Sequence, residues 1–223
     1  MTRTRLKDRL LPYYTKGEEI FNMTTHIVGG GVGVIALVLC IIVSCFKGSL
    51  TALLCSIVFG VSMISIYTVS SIYHGLHPSM AKKVFQVLDH CTIYFLIAGT
   101  YTPMLLCALT RTNPTAAWVT FGAVWGLTAL AVTLNAIDLK KYKAFSMICY
   151  VGIGWAIIFS IGDIYTALTP TGFWLLLSGG IIYTLGTIFY GLGKGKRYFH
   201  SIFHIFTIVG SILHALSVML YAL

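Results

Sequence analysis

The chain has 223 residues, of which 57% are hydrophobic and 9% are charged, and its formal net charge is +9 at pH 7. Its mean hydropathy is +0.88. A soluble globular domain needs far more charged surface than this, so the composition excludes that class. It predicts an all-α, polytopic membrane protein instead.

Long and nearly uncharged runs follow one another along the chain, each near the ~20 residues that a helix needs to cross a bilayer. Short connections join them, so we predict one transmembrane domain, residues 24–223, after a cytoplasmic N-terminal segment, residues 1–23. Residues 5–20 of that segment are expected to form a short interfacial helix. The predicted spans are 24–46, 50–73, 84–108, 115–137, 144–166, 171–192 and 199–223.

Basic residues collect on one side of these seven spans. Only Lys47 and Arg111 lie on the other side. The positive-inside rule therefore predicts a cytoplasmic N-terminus and an outside C-terminus in a cell membrane, most simply a bacterial plasma membrane. Because the charge lies in short loops beside the membrane, nucleic acid is not an expected partner. The thirteen residues on the inner side are Arg3, Arg5, Lys7, Arg9, Lys16, Lys82, Lys83, Lys140, Lys141, Lys143, Lys194, Lys196 and Arg197.

Polar side chains that are rare inside membranes collect at the same predicted cytoplasmic level. Four spans contribute them, which is the arrangement that a metal or cofactor site in a helix bundle requires. A single histidine at a membrane boundary can simply lie among lipid headgroups, but a carboxylate within a span, such as Asp89, is costly without a partner. The residues are Glu19, Asn22, Thr25, His26, Ser70, Tyr73, His74, Asp89, His90, His200 and His204.

The pair His200 and His204 lies one helical turn apart on one helix face, a spacing that suits a single transition-metal ion. Three imidazoles with an open fourth position are typical of catalytic zinc, whose bound water has a pKa near 7. Asp89 suits the role of the group that holds this water or accepts its proton. Ser70, one turn before His74, can orient a ligand or donate to an oxyanion. Five histidines at one level also leave open a closed, structural metal site.

These motifs resemble, in order and spacing, the hemolysin III branch of the progestin and adipoQ receptor family. The resemblance covers nearly the whole chain and implies seven spans with an inward N-terminus. It also implies a relationship to alkaline ceramidases, and an intramembrane zinc like that of the adiponectin receptors. The matching positions would make His74, His200 and His204 the zinc ligands, Asp89 the residue that holds water, and Ser70 the motif serine. The large N-terminal region of the animal receptors is missing, so a hormone-receptor role is not implied.

Three functions follow as hypotheses. The first is an integral membrane zinc hydrolase that acts on an amide- or ester-linked membrane lipid, with Asp89 as base and Ser70 assisting. The second is a non-catalytic sensor or lipid-homeostasis protein with a structural zinc. The third is a cytolysin, which the composition disfavours because long apolar spans would keep the chain in the membrane of the producing cell.

Overall fold

The computed structural model describes residues 3–193 and 195–223, so Lys194 of the basic set lies outside the described residues. Helices make up nearly all of the described chain and no strand occurs in it, which confirms the all-α prediction. The α-helices are α1 (Lys16–Phe46), α2 (Leu50–Gly75), α3 (Met80–Pro103), α4 (Pro114–Asp138), α5 (Lys143–Gly154), α6 (Ile161–Leu192) and α7 (Phe199–Ser217). Short 3-10 segments lie at Leu6–Asp8, Leu109–Arg111 and Ala156–Ser160, and π-helical turns at Met104–Ala108 and Val218–Ala222.

A polar side chain caps the N-terminus of each of the first four α-helices. Thr15 and Glu18 form a reciprocal capping box, in which each side chain accepts a hydrogen bond from the backbone N–H of the other. Ser49, Ser79 and Asn113 cap α2, α3 and α4 more simply, since one side-chain oxygen of each accepts a hydrogen bond from a backbone N–H in the first turn. These residues interrupt long apolar sequence, so they place the helix boundaries where hydropathy alone is ambiguous.

Within residues 3–193 and 195–223, six helical segments are long and apolar enough to cross a membrane. The fifth runs from Lys143 to Leu192, 50 residues, and it covers both the fifth and the sixth predicted spans. Inside it Thr169 has φ 62° and ψ 164°, outside the helical region, and Pro170 follows. A residue before proline is biased away from helical geometry, and proline itself lacks the N–H that a helix interior uses. Thr169 and Pro170 therefore interrupt the helical geometry of this segment.

The chain reverses direction at this interruption. Nε1 of Trp155 donates to Oγ1 of Thr184 at 3.0 Å, whereas these residues would lie about 43 Å apart along one straight helix. The rings of Tyr165 and Phe173 also meet, with centroids 5.1 Å apart. The reversal falls in the predicted connection between the fifth and sixth spans, and it supports the count of seven. That count and the orientation of the termini stay predictions.

The N-terminal segment does not form the expected helix over residues 5–20. Leu6–Asp8 make a 3-10 turn, and residues 16–20 belong to α1, which begins at Lys16. Pro12 explains the difference, because it removes a backbone donor and disfavours helical geometry at the residue before it.

The segment packs instead across the ends of α3 and α4. The backbone N–H of Thr4 donates to Oδ2 of Asp138 at 2.7 Å. Nζ of Lys83 donates to the carbonyl oxygen of Lys7 at 2.6 Å. The segment is therefore attached to the bundle through charged and backbone groups rather than through an apolar helix face.

The helices pack mainly against their sequence neighbours, and α7 returns to pack against α1 as well as α6. Helix α3 is the most enclosed of them, since it contacts α2, α4, α5 and the turn at Leu6–Asp8. This arrangement brings the end of α2, the start of α3 and the start of α7 to the same end of the bundle.

Close packing of α1 on α2 depends on Gly29. A Cβ at this position would lie 2.6 Å from the ring of Tyr67, on α2. The Tyr67 hydroxyl in turn donates to Oγ of Ser211 at 2.6 Å and lies 3.2 Å from the carbonyl oxygen of Thr207, both on α7. A change at Gly29 would therefore be transmitted through Tyr67 to the helix that carries His200 and His204.

We predict that Gly29→Ala lowers the thermal unfolding midpoint of the detergent-purified protein by several degrees, because overpacking a tight contact costs about 1–3 kcal/mol. Gly31→Ala is the matched control on the same helix. A Cβ there meets no atom within 4 Å, so its midpoint should be equal to or above that of the unchanged protein. Equal midpoints for the two variants would show that the contact with Tyr67 is not tight.

Candidate metal centre

Three histidine rings meet at one end of the bundle, called here the histidine end. His74 lies in the last turn of α2, and His200 and His204 lie in the first two turns of α7. Nε2 of His200 is 3.3 Å from Nε2 of His74 and 3.0 Å from Nε2 of His204. One nitrogen of each ring lies within 4.8 Å of the other two. We call these three residues the histidine cluster.

Helix α1 holds the start of α7 in the position that this cluster needs. Tyr198, just before α7, has a left-handed backbone with φ 62°. Its N–H donates to Oε1 of Glu18 at 2.7 Å. The capping box of α1 therefore also fixes the first turn of α7, where His200 lies.

The donor set and its spacing fit a metal ion. Imidazole nitrogens bound tetrahedrally to zinc at ~2.0–2.1 Å lie about 3.3 Å from one another. Nitrogen atoms that face each other this closely need either a shared proton or a cation between them. The histidine cluster can therefore hold a metal ion, and its role as a set of zinc ligands stays a prediction.

Glu19 orients the ring of His74, a role that the sequence did not predict for it. Oε2 of Glu19 accepts a hydrogen bond from Nδ1 of His74 at 2.6 Å, which directs the lone pair of Nε2 toward the other two rings. Nζ of Lys82 donates to Oε1 of the same carboxylate at 2.6 Å and to the carbonyl oxygen of Leu76 at 2.9 Å. A carboxylate behind a metal-binding histidine fixes both the tautomer and the orientation of the ring.

Lys82 was interpreted above only as a loop charge that indicates topology. The structure places it inside α3 with 3% of its surface exposed, where it contacts Glu19. No local pattern distinguishes it from its exposed neighbours, so the sequence offered no signal for this role.

Two further rings enclose the cluster. Tyr14 stacks on His200 with centroids 5.0 Å apart, and His26 stacks on His204 with centroids 3.7 Å apart. Burial raises the pKa of the Tyr14 phenol, so this ring remains neutral at physiological pH. The N-terminal segment therefore covers the cluster on the His200 side, and α1 covers it on the His204 side.

A largely apolar cavity of about 200 Å³ adjoins the cluster. His200 and His204 line it together with Asp89, Ser70 and His26. The same cavity extends to His214, about 21 Å further along α7 than His200. The structure therefore places Asp89 and Ser70, which were predicted to be catalytic, on the wall of a cavity that His200 and His204 also line.

Other polar residues of the predicted level have different surroundings. His90 also lines the cavity, with its ring 6.5 Å from that of Tyr190, which in turn lies 5.6 Å from the ring of His200. Thr25 donates to backbone carbonyl oxygens of its own helix, at Phe21 and Asn22. These contacts give His90 and Thr25 no place in the histidine cluster.

Comparison with known proteins agrees with this arrangement. A family model described as "Haemolysin-III related" matches residues 14–215, a range that includes every residue of the cluster. The chain belongs to the haemolysin III-related family. The resemblance expected from the motifs is therefore confirmed.

Several named proteins are similar to this chain over most of its length. The protein named Hemolysin-3 of Bacillus cereus is 37% identical over 206 residues, 92% of each chain. The Hemolysin-3 homolog of Bacillus subtilis is 35% identical over 208 residues, which cover 93% of this chain and 96% of that protein. The human monocyte to macrophage differentiation factor is 26% identical over 170 residues, 74% of this chain and 68% of its own.

We predict that Glu19→Gln weakens binding of zinc to the purified protein by about 10–100-fold, because the ring of His74 loses its charged acceptor. Competition with a chromophoric chelator measures the affinity. Asp8→Asn is the control, since the Asp8 side chain is 51% exposed and contacts Arg5 at the surface. Equal affinity in Glu19→Gln and Asp8→Asn would exclude a role for Glu19 in orienting His74.

Proposed function

We propose that this protein is an integral membrane, zinc-dependent hydrolase of the ceramidase-like type, which acts on an amide- or ester-linked membrane lipid. One observation carries the proposal. Two histidines of the cluster, His200 and His204, line an apolar cavity that is also lined by Asp89 and Ser70. Apolar pockets with a few converging polar groups are typical of binding and catalytic sites.

The roles of the residues follow from their positions. His74, His200 and His204 hold the zinc ion, and Glu19 orients His74. When bound, the ion supplies Lewis acidity toward the substrate carbonyl and toward water. Asp89 accepts the proton of the attacking water and later returns it to the leaving group. Ser70 donates a hydrogen bond to the oxygen on which negative charge develops.

The shape of the cavity supports a lipid substrate. Ser70 and Asp89 line it at the histidine end. Further along the helices its lining is mainly apolar, as at Ile97, Met104 and Phe173, with polar exceptions such as His214. Acyl chains in this part would exclude water from the scissile bond. A substrate of this kind can enter from the bilayer that surrounds the helices.

The membrane location is proposed with the same site. We infer seven spans with a cytoplasmic N-terminus, supported by the chain reversal at Thr169 and by the basic residues on one side. The histidine end then faces the cytoplasm. Similarity to two Bacillus proteins supports the plasma membrane of a bacterium as the location.

A non-catalytic sensor with a structural zinc is the second candidate. The stacking of Tyr14 and His26 on two rings of the cluster favours it, because a structural metal is normally enclosed by protein. Cytolysis is the third candidate, suggested by the names of the two bacterial relatives. The long apolar helices argue against it, because they favour residence in the membrane of the producing cell.

We predict that wild-type protein purified in detergent contains about one zinc ion per chain and that His200→Ala contains almost none, since His200 lies between the other two ligands. Elemental analysis by mass spectrometry measures this. His77→Ala is the matched control, because His77 is an exposed histidine outside the cluster. Equal zinc content in all three proteins would refute the ligand assignment.

We predict that Asp89→Asn retains zinc but hydrolyses lipid about 10²–10⁴-fold more slowly, because the amide cannot accept the proton. The assay follows fatty acid release from ceramides and glycerophospholipids in micelles. Asp163→Asn is the control and should keep wild-type turnover. Asp163 accepts a hydrogen bond from Asn113, away from the cluster. Wild-type turnover in Asp89→Asn would exclude Asp89 as the base. No turnover by any of the proteins would favour the sensor.

A further inference from the structure

Two polar groups in the far part of the cavity have hydrogen-bonding capacity that the described residues leave unused. They are the ring of His214, on α7, and the hydroxyl of Tyr183, on α6. Both residues line the cavity, and their ring centroids lie 5.2 Å apart. Other hydroxyl-bearing residues of the lining donate to backbone carbonyl oxygens, so they need no further acceptor. These are Thr100, Tyr101, Tyr150, Thr184, Thr187 and Thr207.

The ring of His214 presents a hydrogen-bond acceptor. Its Nε2 lies 3.0 Å from the carbonyl oxygen of Leu176, and because a carbonyl oxygen only accepts, Nε2 carries the hydrogen. A charged imidazole among apolar helices is costly, so the ring is neutral and Nδ1 carries a lone pair. Among residues 3–193 and 195–223, no donor reaches this Nδ1.

Packing of the His214 ring against Gly179 directs this lone pair away from α6. A Cβ at Gly179 would overlap Cδ2 of His214 and lie 2.5 Å from its Nε2, so this edge of the ring rests on the glycine. Nδ1 is the ring atom opposite that edge. The free acceptor therefore faces away from α6, on a residue that lines the cavity.

The hydroxyl of Tyr183 supplies a donor beside this acceptor. Oγ of Ser211 accepts a hydrogen bond from the Tyr67 hydroxyl at 2.6 Å and lies 2.6 Å from the hydroxyl oxygen of Tyr183. Because Ser211 already accepts from Tyr67, its own hydrogen is available to Tyr183. Within the described residues the Tyr183 hydroxyl has no other partner than Ser211, so its own hydrogen is left for a further acceptor.

We propose that His214 and Tyr183 bind a hydroxyl group carried by the acyl chain of the lipid in this cavity. A hydroxyl group both donates and accepts, so it can donate to Nδ1 of His214 and accept from Tyr183. An unsubstituted chain would leave both polar groups without partners, which disfavours its binding. The inference rests on the proposed function in that it assumes a lipid in the cavity, and it adds the substrate class, a lipid with a hydroxylated chain.

Helix geometry sets the position of this hydroxyl group along the chain. His214 follows His204 by ten residues, which is about 15 Å along α7. An extended chain advances about 1.2 Å per bond, so about twelve bonds separate the two levels. A hydroxyl group near the twelfth carbon would reach the site when the carboxyl group of the chain lies beside the histidine cluster. A hydroxyl group on the second carbon would not.

The test compares three fatty acids of equal chain length, namely stearic acid, 2-hydroxystearic acid and 12-hydroxystearic acid. Each is titrated into the full-length protein at a fixed concentration of neutral detergent, and the rise of the thermal unfolding midpoint gives the apparent affinity. We expect 12-hydroxystearic acid to bind at least about tenfold more tightly than either of the others. The 2-hydroxy isomer controls for polarity and for partition into micelles. None of the three has an amide or ester bond, so the test does not depend on hydrolysis.

Two variants locate the effect. Tyr183→Phe removes only the hydroxyl group, and His214→Phe replaces the acceptor with an apolar ring. Each should reduce the preference for 12-hydroxystearic acid by about three- to tenfold and keep the affinity for stearic acid. Tyr165→Phe, at an exposed tyrosine outside the cavity lining, is the matched control and should keep the full preference. Tyr183→Phe changes one oxygen atom, so it tests the site even if His214→Phe does not fold.

The outcomes separate this site from the proposed lipid substrate. Equal affinities for the three acids would overturn the hydroxyl site and leave the cavity as a site for unsubstituted acyl chains. A full preference in both Tyr183→Phe and His214→Phe would refute the assignment to these residues. No rise of the midpoint with any of the acids would overturn the site and the proposed lipid substrate together.

Discussion

The carboxylate of Glu19 is the interaction on which the histidine end depends, because it joins three helices. Glu19 lies on α1, and it accepts hydrogen bonds from His74 on α2 and from Lys82 on α3. A carboxylate placed among apolar helices is costly unless it is paired, and both of its oxygens are paired here. The same two contacts that stabilise this charge also determine which nitrogen of His74 faces the other histidines.

The histidine cluster is covered by aromatic rings on two sides and adjoins a cavity on another. Aromatic rings from the N-terminal segment and from α1 cover it, at Tyr14 and His26. On another side His200 and His204 adjoin a cavity whose far part is lined mainly by apolar side chains, with polar exceptions such as His214. A polar site enclosed in this way strengthens electrostatic interactions, since little water remains to screen them. The N-terminal segment therefore belongs to the site structurally, although it precedes the first long apolar helix.

Hydropathy and motif spacing together predicted much of this molecule. Long apolar runs predict long helices because the backbone must satisfy its own hydrogen bonds in a bilayer. Histidines four apart share a helix face, so the pairing of His200 with His204 followed from α7 alone. The single helix expected over residues 5–20 was wrong, because Pro12 lacks the N–H that a helix interior uses, and α1 begins only at Lys16. The zinc, the catalytic roles of Asp89 and Ser70 and the domain boundary at residue 24 stay predictions.

The sequence by itself determined the all-helical membrane class, the family and the end of the bundle at which the polar residues collect, because each depends on local composition or on short motifs. Only the tertiary structure decided which groups pair. Glu19 contacts residues 55 and 63 positions away, and helical periodicity carries no information across such a separation. Hydrogen bonds between distant segments depend on how whole helices pack, and that packing is a property of the complete fold.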